Sequence, residues 1–256
     1  MEYLPSLIYL CPLVFLAGFI DSIAGGGGTI SVPAYMLTGM PVHLAFGTNK
    51  FSSSFGTAIA TGRFIRNKAI DIRTAIISGI FSLMGAAIGS RLALLLDDRA
   101  FRLLLIVALP CVAVFLVFRR NKVFEGGHED LSLRKSAVLA SVIGLSIGMY
   151  DGIIGPGTGT FAIIAYNTFM KHDLKTASGN AKVLNLASNV ASLVTFALAG
   201  NVLIIIGLPT AVSSIIGNYI GSGFAIRKGA KFIRPMLFVV LGILLVKVIY
   251  DFLTIT

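Results

Sequence analysis

Apolar residues along this chain fall in long runs, broken by short polar or glycine-rich stretches. The runs cover roughly 4–24, 29–39, 44–62, 74–96, 101–118, 136–154, 158–170, 176–199, 203–226 and 235–252. A helix that crosses the hydrocarbon core of a bilayer needs about 20 apolar residues, and some six or seven runs are long enough. Runs 29–39 and 158–170 are too short. Each follows a glycine-rich stretch: Gly25-Gly26-Gly27-Gly28 before the first, Gly155-Pro156-Gly157-Thr158-Gly159 at the start of the second. No helix runs smoothly through either sequence. Irregular backbone is tolerated at membrane depth only where protein or a watery cavity surrounds it. The pattern predicts an all-α integral membrane protein with two short, broken or re-entrant segments inside the bilayer.

The two breaks belong to an internal repeat. Gly18, Asp21, Ile23, Gly25 and Gly27 match Gly148, Asp151, Ile153, Gly155 and Gly157 at a constant offset of 130. Farther on the offset is 132: Ala45 and Lys50 match Ala177 and Lys182, and the run Gly85 to Ser90 matches Gly217 to Ser222. The expected organisation is an N-terminal transmembrane repeat over 1–120, a linker over 121–133 and a C-terminal repeat over 134–256.

Charge tests how the halves are oriented. The loop 63–73 carries Arg63, Arg66, Lys68 and Arg73, whereas its counterpart 195–205 carries no charge. The turn Met40 to Val42 is uncharged, but Lys171 to Lys175 holds two lysines. The loop 97–102 mixes two Asp with two Arg, and its counterpart 227–234 is purely basic. Equivalent loops of opposite character face opposite sides under the positive-inside rule. An inverted-topology repeat follows, as in many secondary transporters. Loops 63–73, 119–135, 171–175 and 227–234 are expected in the cytoplasm and both termini outside. The start Met1-Glu2-Tyr3 is acidic and runs into Pro5 and Pro12, unlike a signal peptide, so the first apolar run is read as a retained span.

Composition agrees. Of 256 residues, 21 are Lys or Arg and 11 are Asp or Glu, only 12% charged, while 56% are hydrophobic; mean hydropathy is +0.90. A typical soluble domain is about 25% charged. These figures exclude a soluble enzyme, a disordered chain and a nucleic-acid-binding domain. The net charge of +10 sits in short clusters between apolar runs and reports topology. With no Trp, an interfacial belt has to use Tyr and Phe. Cys11 and Cys111 lie in apolar runs and read as packing residues. His43, His128 and His172 are too scattered for a metal site, and no cofactor is expected.

Among the acids, only Asp21 and Asp151 lie inside apolar segments, and they are repeat equivalents. An ionisable group at membrane depth is costly and is a functional candidate by default. Asp before a glycine run is also good turn chemistry, so capping of the break and a coupling role both stay open. Lys50 and Lys182 form the second pair, in Gly47-Thr48-Asn49-Lys50 and Gly179-Asn180-Ala181-Lys182. Snorkelling to the interface is one reading. Against it, Thr48, Asn49, Ser52, Ser53, Thr57, Asn180, Asn185 and Asn189 make these runs too polar for lipid. Two lysines facing one pseudo-twofold axis, beside glycine turns and helix N-termini, suit an anion with several acceptor oxygens. The candidate binding set is Lys50, Lys182, Thr48, Asn49, Asn180, Gly26, Gly27, Gly157 and Thr158. Gly85 with Gly89, and Gly217 with Gly221, read as seams of close helix contact.

The run Gly18 to Gly28, then Pro33 and Thr48-Asn49-Lys50, resembles the opening signature of the TauE/SafE sulfite-exporter family, also called TSUP. The run Gly148 to Gly159, followed by Asn180-Ala181-Lys182, is similar to that family's second repeat. The resemblance covers essentially the whole chain. It implies a prokaryotic inner-membrane transporter with about eight spans, which fits ten segments when the short ones merge or re-enter. It also implies cargo such as sulfite, thiosulfate, sulfoacetate or other small organosulfonates. A proton or sodium ion is the expected candidate for co-transport; the lipid bilayer is the other partner, and a homodimer stays open. Competing readings are a passive anion channel, a membrane subunit of a transport complex and, through Tyr150-Asp151, an intramembrane aspartyl protease. The last lacks the glycine that signature needs before its Asp, since Ile20 precedes Asp21.

Overall fold

The computed structural model describes residues 3–101, 103–104, 131–237 and 239. Most of the runs 101–118 and 235–252, most of the linker 121–133, and Cys111, His128 and Lys247 lie outside the described residues. The fold is built of helices, with no strand among the described residues. After a 3-10 turn at Leu4–Ser6 come α1 (Leu7–Ala24), α2 (Gly28–Met36), α3 (Val42–Arg66) and α4 (Ile72–Leu94). The second half supplies α5 (Leu133–Ile153), α6 (Thr158–Phe169), α7 (Leu174–Leu198) and α8 (Ile204–Lys228).

Among the described residues, five helices are long and apolar enough to cross a membrane: Leu4–Ala24, α4, α5, α7 and α8. The protein is a multi-pass, all-α membrane protein. The 25-residue α3 is as long as α7 but more polar. The short elements anticipated at 29–39 and 158–170 are α2 and α6. At about 1.5 Å per residue they reach only about 13 and 18 Å, well short of a bilayer core of about 30 Å. Glycine sets the breaks. Gly25 takes the left-handed conformation (φ 75°) after α1, and its N–H bonds to the Asp21 carbonyl at 2.7 Å. Gly155 (φ 84°) and Gly157 (φ 86°) do the same between α5 and α6. A side chain is strained there, so the helices must end.

The seams bring backbones together. A Cβ on Gly217 would lie 2.2 Å from the Phe15 carbonyl oxygen, and one on Gly221 2.3 Å from that of Phe19. Gly85 and Gly89 meet the carbonyls of Leu145 and Met149 at 2.3 and 2.2 Å. Leu145 and Met149 are the repeat partners of Phe15 and Phe19. So α1 lies along α8, and α5 along α4, each pair parallel and each joining one half to the other. The counterparts α3 and α7 cross the centre antiparallel: Lys50 reaches Asn189, and Thr61 reaches the Lys182 carbonyl.

The polar ends sort in space. Asp71 and His172 approach at 3.6 Å, and Arg63 stacks 4.1 Å over the Tyr219 ring. The loops 63–73 and 171–175 and the end of α8 therefore share one end. At the other, His43 bonds Asp98 at 2.8 Å, and the Leu203 N–H bonds the Thr48 hydroxyl at 3.0 Å. Around the outside, Ile76, Ile80, Met84 and Ile88 of α4, and Ile205, Leu208, Val212 and Ile216 of α8, are exposed. Their spacing of three to four residues forms apolar stripes fit for lipid.

Leu in place of Gly85 or Gly217 drives a side chain into a backbone carbonyl. Overpacking costs about 1–3 kcal/mol or more, so each variant is expected to melt several degrees lower in detergent. An unchanged melting temperature would contradict the close seam.

Candidate functional site

Asp21 sits in the last turn of α1, just before its break, and Asp151 in the last turn of α5, just before the other. Lys50 and Lys182 occupy equivalent places in α3 and α7. The antiparallel crossing of α3 and α7 carries each lysine to the aspartate of the opposite half. Lys50 Nζ donates to Asp151 Oδ2 at 2.6 Å, and Lys182 Nζ to Asp21 Oδ2 at 2.9 Å. Both lysines are buried, at 2% and 0% exposure, which excludes snorkelling. Lys50 also donates to Asn189 Oδ1 at 3.2 Å and lies 5.2 Å from the centroid of the Phe46 ring. Lys182 also donates to the Asp21 backbone carbonyl.

The carboxylates hold the breaks as well. Asp21 Oδ1 accepts from the Gly27 N–H at 3.3 Å, and Asp151 Oδ1 accepts from the Thr158 hydroxyl at 2.8 Å. Each aspartate thus joins a buried ammonium to the start of a short helix. Buried ions are costly to desolvate, and their attraction repays that only with good geometry and further hydrogen bonds. Both pairs have them.

Beside the pairs opens a small cavity of about 40 Å³. Its wall includes Asp21, Lys50, Asp151, Asn49, Gly27 and Thr158, all anticipated from the sequence. Lys182 is packed behind Asp21 and is absent from the wall. Gly26 and Gly157 belong to the breaks without lining the cavity. Thr48 lies elsewhere: its hydroxyl donates to the Leu44 carbonyl at 2.6 Å and accepts from Leu203. Asn180 does too. Its Oδ1 accepts from the Asp71 N–H at 3.0 Å, and its Nδ2 sits 3.0 Å from His172 Nδ1, clasping the start of α7 to the α3–α4 loop. Each of the two lysines expected at a shared hollow is bound to a carboxylate, and of the two Lys50 lines the cavity. Sequence reasoning also passed over Ser214 and Asn218 of α8, which line the cavity. Asn218 falls inside a small-residue seam and reads there as packing; the one available signal is an amide in an otherwise apolar run.

With each aspartate committed to a lysine, the two carboxylates do not form the proton-sharing pair an aspartyl protease needs. Among the described residues there is also no group of three His, Cys, Asp or Glu fit to hold a metal.

A multi-pass helical bundle with two broken helices meeting at a buried polar centre is an arrangement that membrane transporters use. Residues 10–248 match the family described as sulfite exporter TauE/SafE, and the chain belongs to that family. It is 35% identical over 238 residues to a "Probable membrane transporter protein" of Haemophilus influenzae, covering 93% of this chain and 92% of the relative. It is 33% identical over 260 residues to "Probable membrane transporter protein YfcA" of Escherichia coli K12, covering 98% and 95%. "Probable membrane transporter protein ORF9" of a Sinorhizobium species is 33% identical over 245 residues, covering 96% and 93%. These relatives carry the names of transporters and not of enzymes, in agreement with the sequence reading. No solved structure matches the chain.

Removing one partner of a buried pair costs about 3–5 kcal/mol, because the other charge is left unpaired. Lys182→Met is therefore expected to lower the melting temperature sharply, and Lys182→Met with Asp21→Asn to recover most of the loss. A double variant as unstable as the sum of the two singles would contradict the pairing.

Proposed function

We propose that the protein moves small sulfur-containing oxyanions, such as sulfite, thiosulfate or organosulfonates, across a prokaryotic plasma membrane by alternating access. The observation that carries this reading is the pair of crossed, buried Lys–Asp bridges at the two helix breaks. The anion enters the cavity, takes the Lys50 ammonium from Asp151, and gathers N–H groups of the glycine turns and the starts of α2 and α6. Both short helices point their positive dipole ends toward that region. Lys182 acts from behind Asp21, as the second cation of the centre.

The halves 1–120 and 134–256 form an inverted repeat of about eight spans. Support comes from the antiparallel run of the counterparts α3 and α7 and from the gathering of the basic loops at one end. That end, with loops 63–73 and 171–175 and the end of α8, faces the cytoplasm, the side on which the sequence also puts loops 119–135 and 227–234, and both termini lie outside. The two halves rock about the centre, and export is the working direction.

Charge balance implies coupling. The two pairs are neutral together, so a lone anion adds an uncompensated charge to a low-dielectric site. For a singly charged anion such as a sulfonate, Asp151, once released by Lys50, takes a proton and restores neutrality; a dianion such as thiosulfate needs a second cation. Sodium is the other candidate.

The test is a thermal-shift screen of purified protein against sulfite, thiosulfate, sulfoacetate, taurine and sulfate, since a ligand that binds only the native state raises its melting temperature. One or more of the sulfur oxyanions is expected to raise it, and Lys50→Met with Asp151→Asn to abolish the effect. In proteoliposomes the same double variant is expected to lose anion flux. If it carries sulfite at the wild-type rate, the site is wrong. Cysteines placed in loops 63–73 and 195–205 are expected to label from opposite sides of the membrane.

A further inference from the structure

Two buried side-chain oxygens have no hydrogen-bond partner among the described residues, Asn49 Oδ1 and Asn218 Oδ1. Both residues line the same cavity. Their exposures are 5% and 2%, and a buried acceptor left unpaired is costly. The Asn218 carboxamide cannot turn to relieve this. Its Nδ2 donates to the Ser214 carbonyl at 3.0 Å and is 3.4 Å from the Ser214 hydroxyl oxygen, so a flip would set oxygen against the Ser214 carbonyl oxygen. The space around it is made by glycine. A Cβ on Gly18 of α1 would come within 2.8 Å of Asn218 Nδ2, and one on Gly56 of α3 within 2.4 Å.

The repeat shows that the scaffold does not require these amides. At the offset of 132, Asn49 corresponds to Ala181 and Asn218 to Ala86. Gly56, which makes room for Asn218, corresponds to Ser188. The lysines and aspartates are present in both halves, whereas the unpaired acceptors occur in one copy each. An unpaired acceptor does not attract an oxyanion, whose oxygens are acceptors too. It seeks an N–H or O–H.

We infer that Asn218, with Asn49, forms a donor-reading subsite, so that the preferred ligand is an anion bearing one hydroxyl, amine or acidic proton beside its oxyanion group. The inference rests on the proposed anion site and adds its selectivity. Asn218 lies beside Gly18, about one helical turn from Asp21 along α1. The oxyanion end of the ligand rests against Lys50 and the glycine turns, and the donor end reaches Asn218 Oδ1. The twofold likeness of the site is broken there, which gives a bound ligand one orientation.

The test compares ethanesulfonate with 2-hydroxyethanesulfonate, close in shape except for the hydroxyl, by calorimetric titration of the purified full chain. The wild-type protein is expected to bind the hydroxylated anion about tenfold more tightly. Asn218→Ala, which places in one half the residue found in the other, is expected to erase that preference while ethanesulfonate affinity stays within about twofold. Asn49→Ala, as a second variant, is expected to reduce the preference. Equal binding of the two anions by the wild-type protein overturns the inference and leaves the anion site standing. A sodium requirement for binding that disappears in Asn218→Ala also overturns it, since the acceptor then holds a cation. Failure of both sulfonates and of sulfite to bind removes the anion site, and the inference with it.

Discussion

Two buried ammonium groups bound crosswise to two buried carboxylates organise this protein. Neither half contains a complete pair: Lys50 finds Asp151, and Lys182 finds Asp21. An unpaired charge at that depth costs several kcal/mol, so each half supplies what the other needs. The same aspartates hold the ends of the broken helices through Gly27 and Thr158. A single set of contacts thus ties the halves together, stops α1 and α5, and places the starts of two short helices beside a polar cavity. The glycine seams of α1 with α8 and α4 with α5 bring the backbones close enough for these contacts to form.

Much of this was legible in one sequence because membrane burial makes polar residues conspicuous. Asp21 and Asp151 stand out in apolar runs, and so do Lys50 and Lys182. The glycine runs mark the breaks because their φ angles exclude ordinary side chains. Described helix bounds fall within about four residues of the corresponding apolar runs. The pairing was not legible. Spacing places Lys50 on α3 and Asp151 on α5, but only the antiparallel crossing of α3 and α7 decides that they meet. The sequence therefore offers the two lysines to an anion without showing their partners, whereas the structure presents each bound to a carboxylate.

Thr48 and Asn180 illustrate a second limit. Both neighbour the lysines in sequence, yet they point away from the cavity, because successive residues on a helix face different directions. Thr48 meets Leu203 and Asn180 meets Asp71. Asn218 is the converse, far from the lysines in the chain and close to the cavity in space. Its amide sits in a run of small residues whose evident purpose is packing, and Gly18 and Gly56, which clear its place, come from two other helices. No local pattern joins those three positions.

Neutral pairing also changes what binding has to accomplish. A site with two free lysines would take up an anion by attraction alone, but a paired site has to exchange one anion for another. In the proposed function the displaced Asp151 carboxylate takes up a proton, and charge balance then couples the anion to a second ion through one residue. Calorimetric titration of ethanesulfonate, a fixed monoanion that carries no titrating proton of its own, in buffers of different ionisation heats measures that proton directly. Uptake of about one proton per anion bound is expected for the wild-type protein and none for Asp151→Asn. Ethanesulfonate binding by the wild-type protein with no proton uptake would contradict the coupling.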